Sequence, residues 1–183
     1  NGNVLDNLEC GAVYRCEQDG SKLEIFHRGL RNPQELAFDN HGNLWTVDNN
    51  SDAGDPARVV YVAEGGDSGW HIGWQFLDQP VQRGAWMSER LCYEEFPGRA
   101  AYALPPVSSK VGNGPSGLTF DPGLGLPPEW RGRFFLANFS GNPNSGIYAF
   151  KVRPKGAGFE LERNDRFAWN FLPTDVDFGY DGC

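Results

Sequence analysis

One short phrase occurs three times in this chain. It reads Pro33-Gln34-Glu35-Leu36-Ala37-Phe38-Asp39, then Pro115-Ser116-Gly117-Leu118-Thr119-Phe120-Asp121, then Pro173-Thr174-Asp175-Val176-Asp177-Phe178-Gly179. In each copy an aliphatic residue and a phenylalanine stand three and five places after the proline, the alternation of a strand with one apolar face. Proline suits the first residue of such a strand, because it fixes φ and has no N–H to give to a ladder. Repetition on this scale marks a propeller or a solenoid. The three prolines stand 82 and 58 residues apart, so the units are long and irregular, with the excess in loops.

Around the first copy the chain spells out a whole unit. A strand at Glu35 to Phe38, a turn at Asn40-His41-Gly42-Asn43, a strand at Leu44 to Val47, an acidic loop and a strand at Arg58 to Glu64 make an antiparallel meander. Ala12 to Arg15 and Leu23 to Phe26 flank Asp19-Gly20-Ser21 as a hairpin, and Gly146 to Phe150 and Phe159 to Leu161 flank Pro154 to Gly158 as another. Asp78 to Val111 breaks the grammar: Ala85 to Tyr93 has short-helix spacing, and Leu104-Pro105-Pro106 forces extended chain. It reads as an insertion that shapes a pocket mouth or caps a blade edge.

The expected fold is therefore all-β, a partial β-propeller with a short helical insertion. Residues 1–28 supply the outer hairpin of a preceding blade, 29–111 a blade carrying the insertion at 78–111, 112–171 a second blade, and 172–183 the first strand of the next. That is about two to two and a half blades, and a ring closes with about four to eight. The chain reads as a piece of a larger ring, with the parent's remaining blades, or another chain, at its open strand edges.

Composition agrees: 24 Gly and 13 Pro argue for many turns, and 14% aromatics for a packed core. A net charge of −8 excludes a nucleic-acid partner, which would require clustered Lys and Arg. No run approaches the ~18 apolar residues of a membrane span, and no basic-then-apolar leader opens the chain. Cys10, Cys16, Cys92 and Cys183 form neither CxxC nor CxxCH, so no zinc knuckle or haem attachment is encoded. Cys10 and Cys16 either close a short disulfide, which suits an oxidising compartment, or remain thiols.

Four residues of the acidic loop, Asp48, Asn50, Asp52 and Asp55, offer side-chain oxygens that a loop can fold around a hard cation such as Ca²⁺. The loop is no EF-hand, since Ala53 and Val59 occupy the places of its glycine and its bidentate glutamate. The other reading is an Asx-turn loop that satisfies its own amides. Gly112 to Gly117 matches GxGxxG by letter but leads into a strand, with no helix terminus to receive a phosphate. His27, His41 and His71 lack metal spacing and read as surface or turn residues. His71 beside Trp74 has the make-up of a polar pocket with an aromatic wall, or Trp74 is a wedge between blades. No GxSxG supports a serine hydrolase.

Gly29-Leu30-Arg31-Asn32-Pro33-Gln34-Glu35-Leu36-Ala37-Phe38, Gly66-Asp67-Ser68-Gly69-Trp70, Pro115-Ser116-Gly117-Leu118-Thr119-Phe120, Pro128-Glu129-Trp130-Arg131-Gly132 and Thr174 to Gly182 together resemble the soluble glucose/sorbosone dehydrogenase family of β-propellers. Pro128 to Gly182 is similar to a branch of membrane-bound dehydrogenases in which the propeller precedes helical repeats and a c-type haem segment. The resemblance implies a six-bladed type of ring, an extracellular or periplasmic location, and quinone-dependent oxidation of a sugar or alcohol. It also implies that Arg31 and Asn32 contact pyrroloquinoline quinone, Arg31 through its fork to a carboxylate. The catalytic histidine of that family lies on an earlier blade, so no catalytic residue is assigned here. Leu172 and Thr174 stand where the family carries two arginines, which implies weaker hold on a trianionic quinone. The alternative to a dehydrogenase is a non-catalytic propeller that binds carbohydrate or protein, or that carries a fused electron-transfer domain. Arg31 then serves a structural turn, pairing with an acid such as Asp48.

Overall fold

The computed structural model describes residues 4–8, 10–50, 56–70 and 106–183. The third and fourth members of the acidic loop (Asp52 and Asp55), the His71 and Trp74 pair, the Ala85 to Tyr93 helix and Cys92 lie outside them. Among the described residues ten strands form three sheets, and there is no α-helix, only a 3₁₀ turn at Pro128–Trp130.

The first sheet pairs β1 (Gly11–Arg15) with β2 (Glu24–Leu30) and adds the two-residue β6 (Gly66–Asp67) parallel to β2. The second is the meander β3 (Pro33–Phe38), β4 (Leu44–Asp48) and β5 (Arg58–Tyr61). The third is the four-stranded meander β7 (Pro115–Phe120), β8 (Phe134–Asn138), β9 (Gly146–Lys155) and β10 (Gly158–Trp169). Val107 and Ser108 bond to Val59 and extend the second sheet on its β5 side. Successive meanders with first strands β3 and β7 against each other are consecutive blades of an open propeller.

The blades stick through apolar faces. Trp45, Val47 and Val59 of the second sheet meet Leu118, Phe134, Leu136 and Phe150 of the third. Trp45 is fully buried at the centre of this seam, 5.2 Å from Phe134 and 4.8 Å from Phe159, centroid to centroid. The other face of the second sheet carries Val60 and Val62 against Val13 and Leu30.

Element limits depart from the pattern for local reasons. The strand expected to run to Glu64 stops at Tyr61, because a turn closed by Gly66 N–H to the Ala63 carbonyl carries the chain across to the first sheet. The last hairpin is far longer than its apolar residues suggest. Its exposed end is held by charge, with Glu160 between Arg153 and Lys155. Thr174 to Phe178 forms no ladder with a described strand. It lies along β7, with Ser116 Oγ donating to the Pro173 carbonyl and Thr119 Oγ1 to Asp177 Oδ1. Val176 and Phe178 cover Phe135 and Ala137 on the far face of the third sheet. Cys10 and Cys16 are not joined to each other: the Cys10 thiol donates to Asn7 Oδ1, and Cys16 is an exposed thiol.

Candidate functional site at the lead turns

The three prolines begin segments that lie side by side, β3, β7 and the stretch after Pro173. Between them runs a groove of about 410 Å³ whose polar lining includes Glu35, Thr119, Asp175 and Asp177. The turns that precede the first two prolines, Arg31-Asn32 and Asn113-Gly114, are bridged by Asn49 and Asn50: the Asn49 N–H donates to the Asn32 carbonyl at 3.4 Å, and the Asn50 amide nitrogen lies 3.2 Å from the Asn113 carbonyl.

Each turn is pinned by one side chain at the end of its blade's second strand. Asp48, opposite Pro33 in the ladder, accepts the N–H of Arg31 at 3.0 Å and of Asn32 at 2.8 Å through Oδ1. Asn138, opposite Pro115, accepts the N–H of Asn113 at 2.8 Å and of Gly114 at 3.0 Å. The other end of each lead strand is tied the same way: Asp39 receives the N–H groups of His41 and Asn43, and Asp121 those of Gly123 and Gly132.

Asp48 has a second partner. The Arg58 guanidinium, at the start of β5, meets its Oδ2 at 3.0 Å from Nε and 2.8 Å from Nη2, with both side chains buried. Arg58 also donates to the Ser68 carbonyl at 2.7 Å and the Gly29 carbonyl at 2.8 Å. Ser68 Oγ in turn meets His27 Nε2 at 2.9 Å, and His27 Nδ1 lies 3.0 Å from the Ala63 carbonyl. The carbonyl fixes the proton on Nδ1, and Nε2 accepts from the serine. Burial pushes the imidazole below the ordinary histidine range and nearby Arg58 adds to this, against the opposing pull of the Ala63 carbonyl.

These contacts bear on two expectations. The Asp48 carboxylate, read from the sequence as a cation ligand, receives two backbone amides and a buried guanidinium. Among the described residues no cluster of His, Cys, Asp and Glu is arranged to hold a metal. His27 is fully buried and not a surface residue, whereas His41 is exposed in its turn. Asp48 does engage Arg31, but through the backbone; its ion pair is with Arg58. The sequence reading passed over Arg58, Ser68 and Asn138. The available signal was a lone arginine opening an otherwise apolar strand, Arg58-Val59-Val60-Tyr61-Val62.

The glucose/sorbosone dehydrogenase family profile matches residues 13–163, across the three sheets and both pinned lead turns. The chain belongs to that family. No curated protein sequence matches it. Among solved structures it is similar to an oxidoreductase described as a glucose dehydrogenase from Thermus thermophilus, with TM-score 0.58 and 19% identity, over 87% of this chain and 40% of that one. It is also similar to the aldose sugar dehydrogenase of Streptomyces coelicolor in its PQQ-bound form, with TM-score 0.54 and 16% identity, over 86% of this chain and 39% of that one. A further glucose dehydrogenase gives TM-score 0.56 and 20% identity, over 90% of this chain and 44% of that one. At these identities the likeness establishes the propeller fold. The chain spans about two fifths of the length of these propellers. The matches lie with sugar dehydrogenases and give no support to the membrane-bound, haem-fused branch. No helix among the described residues is long and apolar enough to cross a membrane.

Proposed function

We propose that this chain is the part of a quinone-dependent sugar or alcohol dehydrogenase that carries one edge of the acceptor site, at Arg31 and Asn32. The observation that carries this reading is the pinning of that dipeptide by buried Asp48, itself paired with buried Arg58. A turn held from beneath by a buried carboxylate presents its outer side in one geometry, which is what recognition of a planar carboxylate requires of an arginine.

Pyrroloquinoline quinone, the group bound by the Streptomyces relative, supplies a two-electron, hydride-accepting centre when present. The described residues fit one arm of it. Arg31 and Asn32 offer a cation and an amide at the first turn, whereas the second turn carries Asn113 and Gly114, and Leu172 and Thr174 flank Pro173 at the third. This chain's own contribution is thus to orient and charge-balance one carboxylate. The proton-accepting base for the substrate hydroxyl comes from the rest of the parent ring.

Those remaining blades cover the faces this segment leaves open, at Leu36 and Phe38 on one side and Trp169 and Leu172 on the other, all exposed here. An extracellular or periplasmic location belongs to the same proposal, and its support is the family membership.

Equilibrium titration of the full-length protein with the quinone, followed by fluorescence, tests the reading. Arg31→Ala should weaken binding by roughly ten- to a hundredfold, the loss of one charge-assisted contact. Saturable binding that is indifferent to Arg31→Ala would move the site elsewhere.

A further inference from the structure

The two lead turns solve the same problem with different chemistry. Asn138 holds the Asn113-Gly114 turn with a neutral amide, its nitrogen donating to Ser140 Oγ. Asp48 holds the Arg31-Asn32 turn with a full charge, which must be desolvated together with a matching guanidinium. A buried ion pair is a weak source of stability, since desolvation offsets most of its attraction. The neighbouring blade demonstrates that a neutral group suffices to hold a turn. The charged version therefore has another use at this turn.

That use is visible in what Arg58 reaches. Its Nη2 lies on the Gly29 carbonyl, two residues before Arg31, and its Nη1 on the Ser68 carbonyl of the segment that follows β6. The lead turn is consequently gripped from both sides, by Asp48 on the amides of residues 31 and 32 and by Arg58 on the carbonyl of residue 29. His27 holds Ser68 from behind. All four side chains are buried, so none of them touches a ligand.

We infer that Asp48 and Arg58 are a positioning pair for the acceptor site: they set the backbone of Arg31-Asn32 so that Arg31 meets the acceptor's carboxylate in register. The inference rests on the proposed role of Arg31. Ångström-scale displacement of a positioned group forfeits much of its binding advantage. A residue pair that acts in this way changes affinity for the acceptor without changing the fold.

The test is the double variant Asp48→Asn/Arg58→Gln in the full-length protein. It copies the neutral arrangement of the other turn and leaves no buried charge unpaired, so it folds where Asp48→Asn alone risks failure. Thermal melting and quinone titration are read together. The expected result is a melting curve close to wild type with quinone affinity lowered about tenfold or more, comparable to Arg31→Ala. A folded double variant with wild-type affinity, beside a weakened Arg31→Ala, would overturn the positioning role and leave the acceptor site standing. An Arg31→Ala variant with wild-type affinity would instead overturn the site itself. If the double variant does not fold, Arg58→Lys is read in its place: it keeps the charge but cannot bridge Asp48 and both carbonyls. Wild-type affinity in that folded variant would likewise overturn the pair's role.

Discussion

Asp48 and Asn138 occupy one position in successive blades, each facing the proline that opens its sheet and each receiving the two amides before that proline. Only Asp48 is backed by a buried arginine. Truncation of the two should separate them. Asp48→Ala strands the Arg58 charge and should cost about 3–5 kcal/mol. Asn138→Ala leaves only neutral donors unmet and should cost about 1–3 kcal/mol. Urea unfolding of both variants gives the order, and a larger loss for Asn138→Ala would contradict the ion-pair assignment.

Acid should weaken this fold before its carboxylates titrate. The folded pKa of His27 lies below the value of 6.5 for a free imidazole, chiefly through burial. The unfolded chain therefore binds more protons between the two values. Stability is fully present above about pH 6.5 and declines as pH falls below it. Melting temperatures from pH 8 to 5 should show this decline, and His27→Gln should flatten it even at lower absolute stability. Asp39 acts in a separate window. Burial raises its pKa, but the Asn43 side chain, the amides of Asn43 and His41 and the Trp45 indole outweigh this and leave it below 3.8. Its contribution is lost only in stronger acid.

Gly117→Ala tests how tightly the third lead segment is seated. A methyl group there would stand 2.6 Å from Asp175 Oδ1 and 2.8 Å from the Asp175 Cα, with backbone that cannot step aside. The expected penalty is about 1–3 kcal/mol by overpacking. Hydrogen exchange should quicken in residues 175–178, and unchanged protection there would show that the segment is seated otherwise.

The propeller was legible because its signals are local. A proline followed by alternating Leu and Phe fixes both where a strand starts and which face it buries, so β3 and β7 lie where the repeat places them. The same phrase at Pro173 gives no ladder, since pairing depends on a neighbouring strand as well as on the segment's own residues. The pinned turns were half legible. Asp48 stood out as an oxygen ligand in an acidic loop, and only the ladder register reveals that it points back to Arg31 and Asn32. Arg58 and His27 could not be found by spacing, because their partners lie 10 and 41 residues away on other elements.

Trp45 joins two blades, and its loss should uncouple them. It is fully buried and makes ring contacts with Tyr61 in its own sheet and with Phe134 and Phe159 in the next. Trp45→Ala should cost about 3–5 kcal/mol. Phe38→Ala, at an exposed site of the same sheet, should cost far less in this segment. Calorimetry of the two variants checks the contrast, and equal losses would mean that the seam is not centred on Trp45.

The short parallel pairing of β6 with β2 governs how such a ring can be recombined. His27 and Arg28 pair with Gly66 and Asp67, so the chain leaves the first sheet, builds the second, and then returns to add an outer strand to the first. The units of sequence repetition and the units of sheet are out of phase. Cutting or duplicating the gene between β2 and β3 would strip the first sheet of β6, whereas a junction placed after Ser108 keeps β1 to β6 together with the Val107-Ser108 extension of the second sheet. Blade shuffling in this family, natural or engineered, is expected to favour crossovers at the second kind of junction.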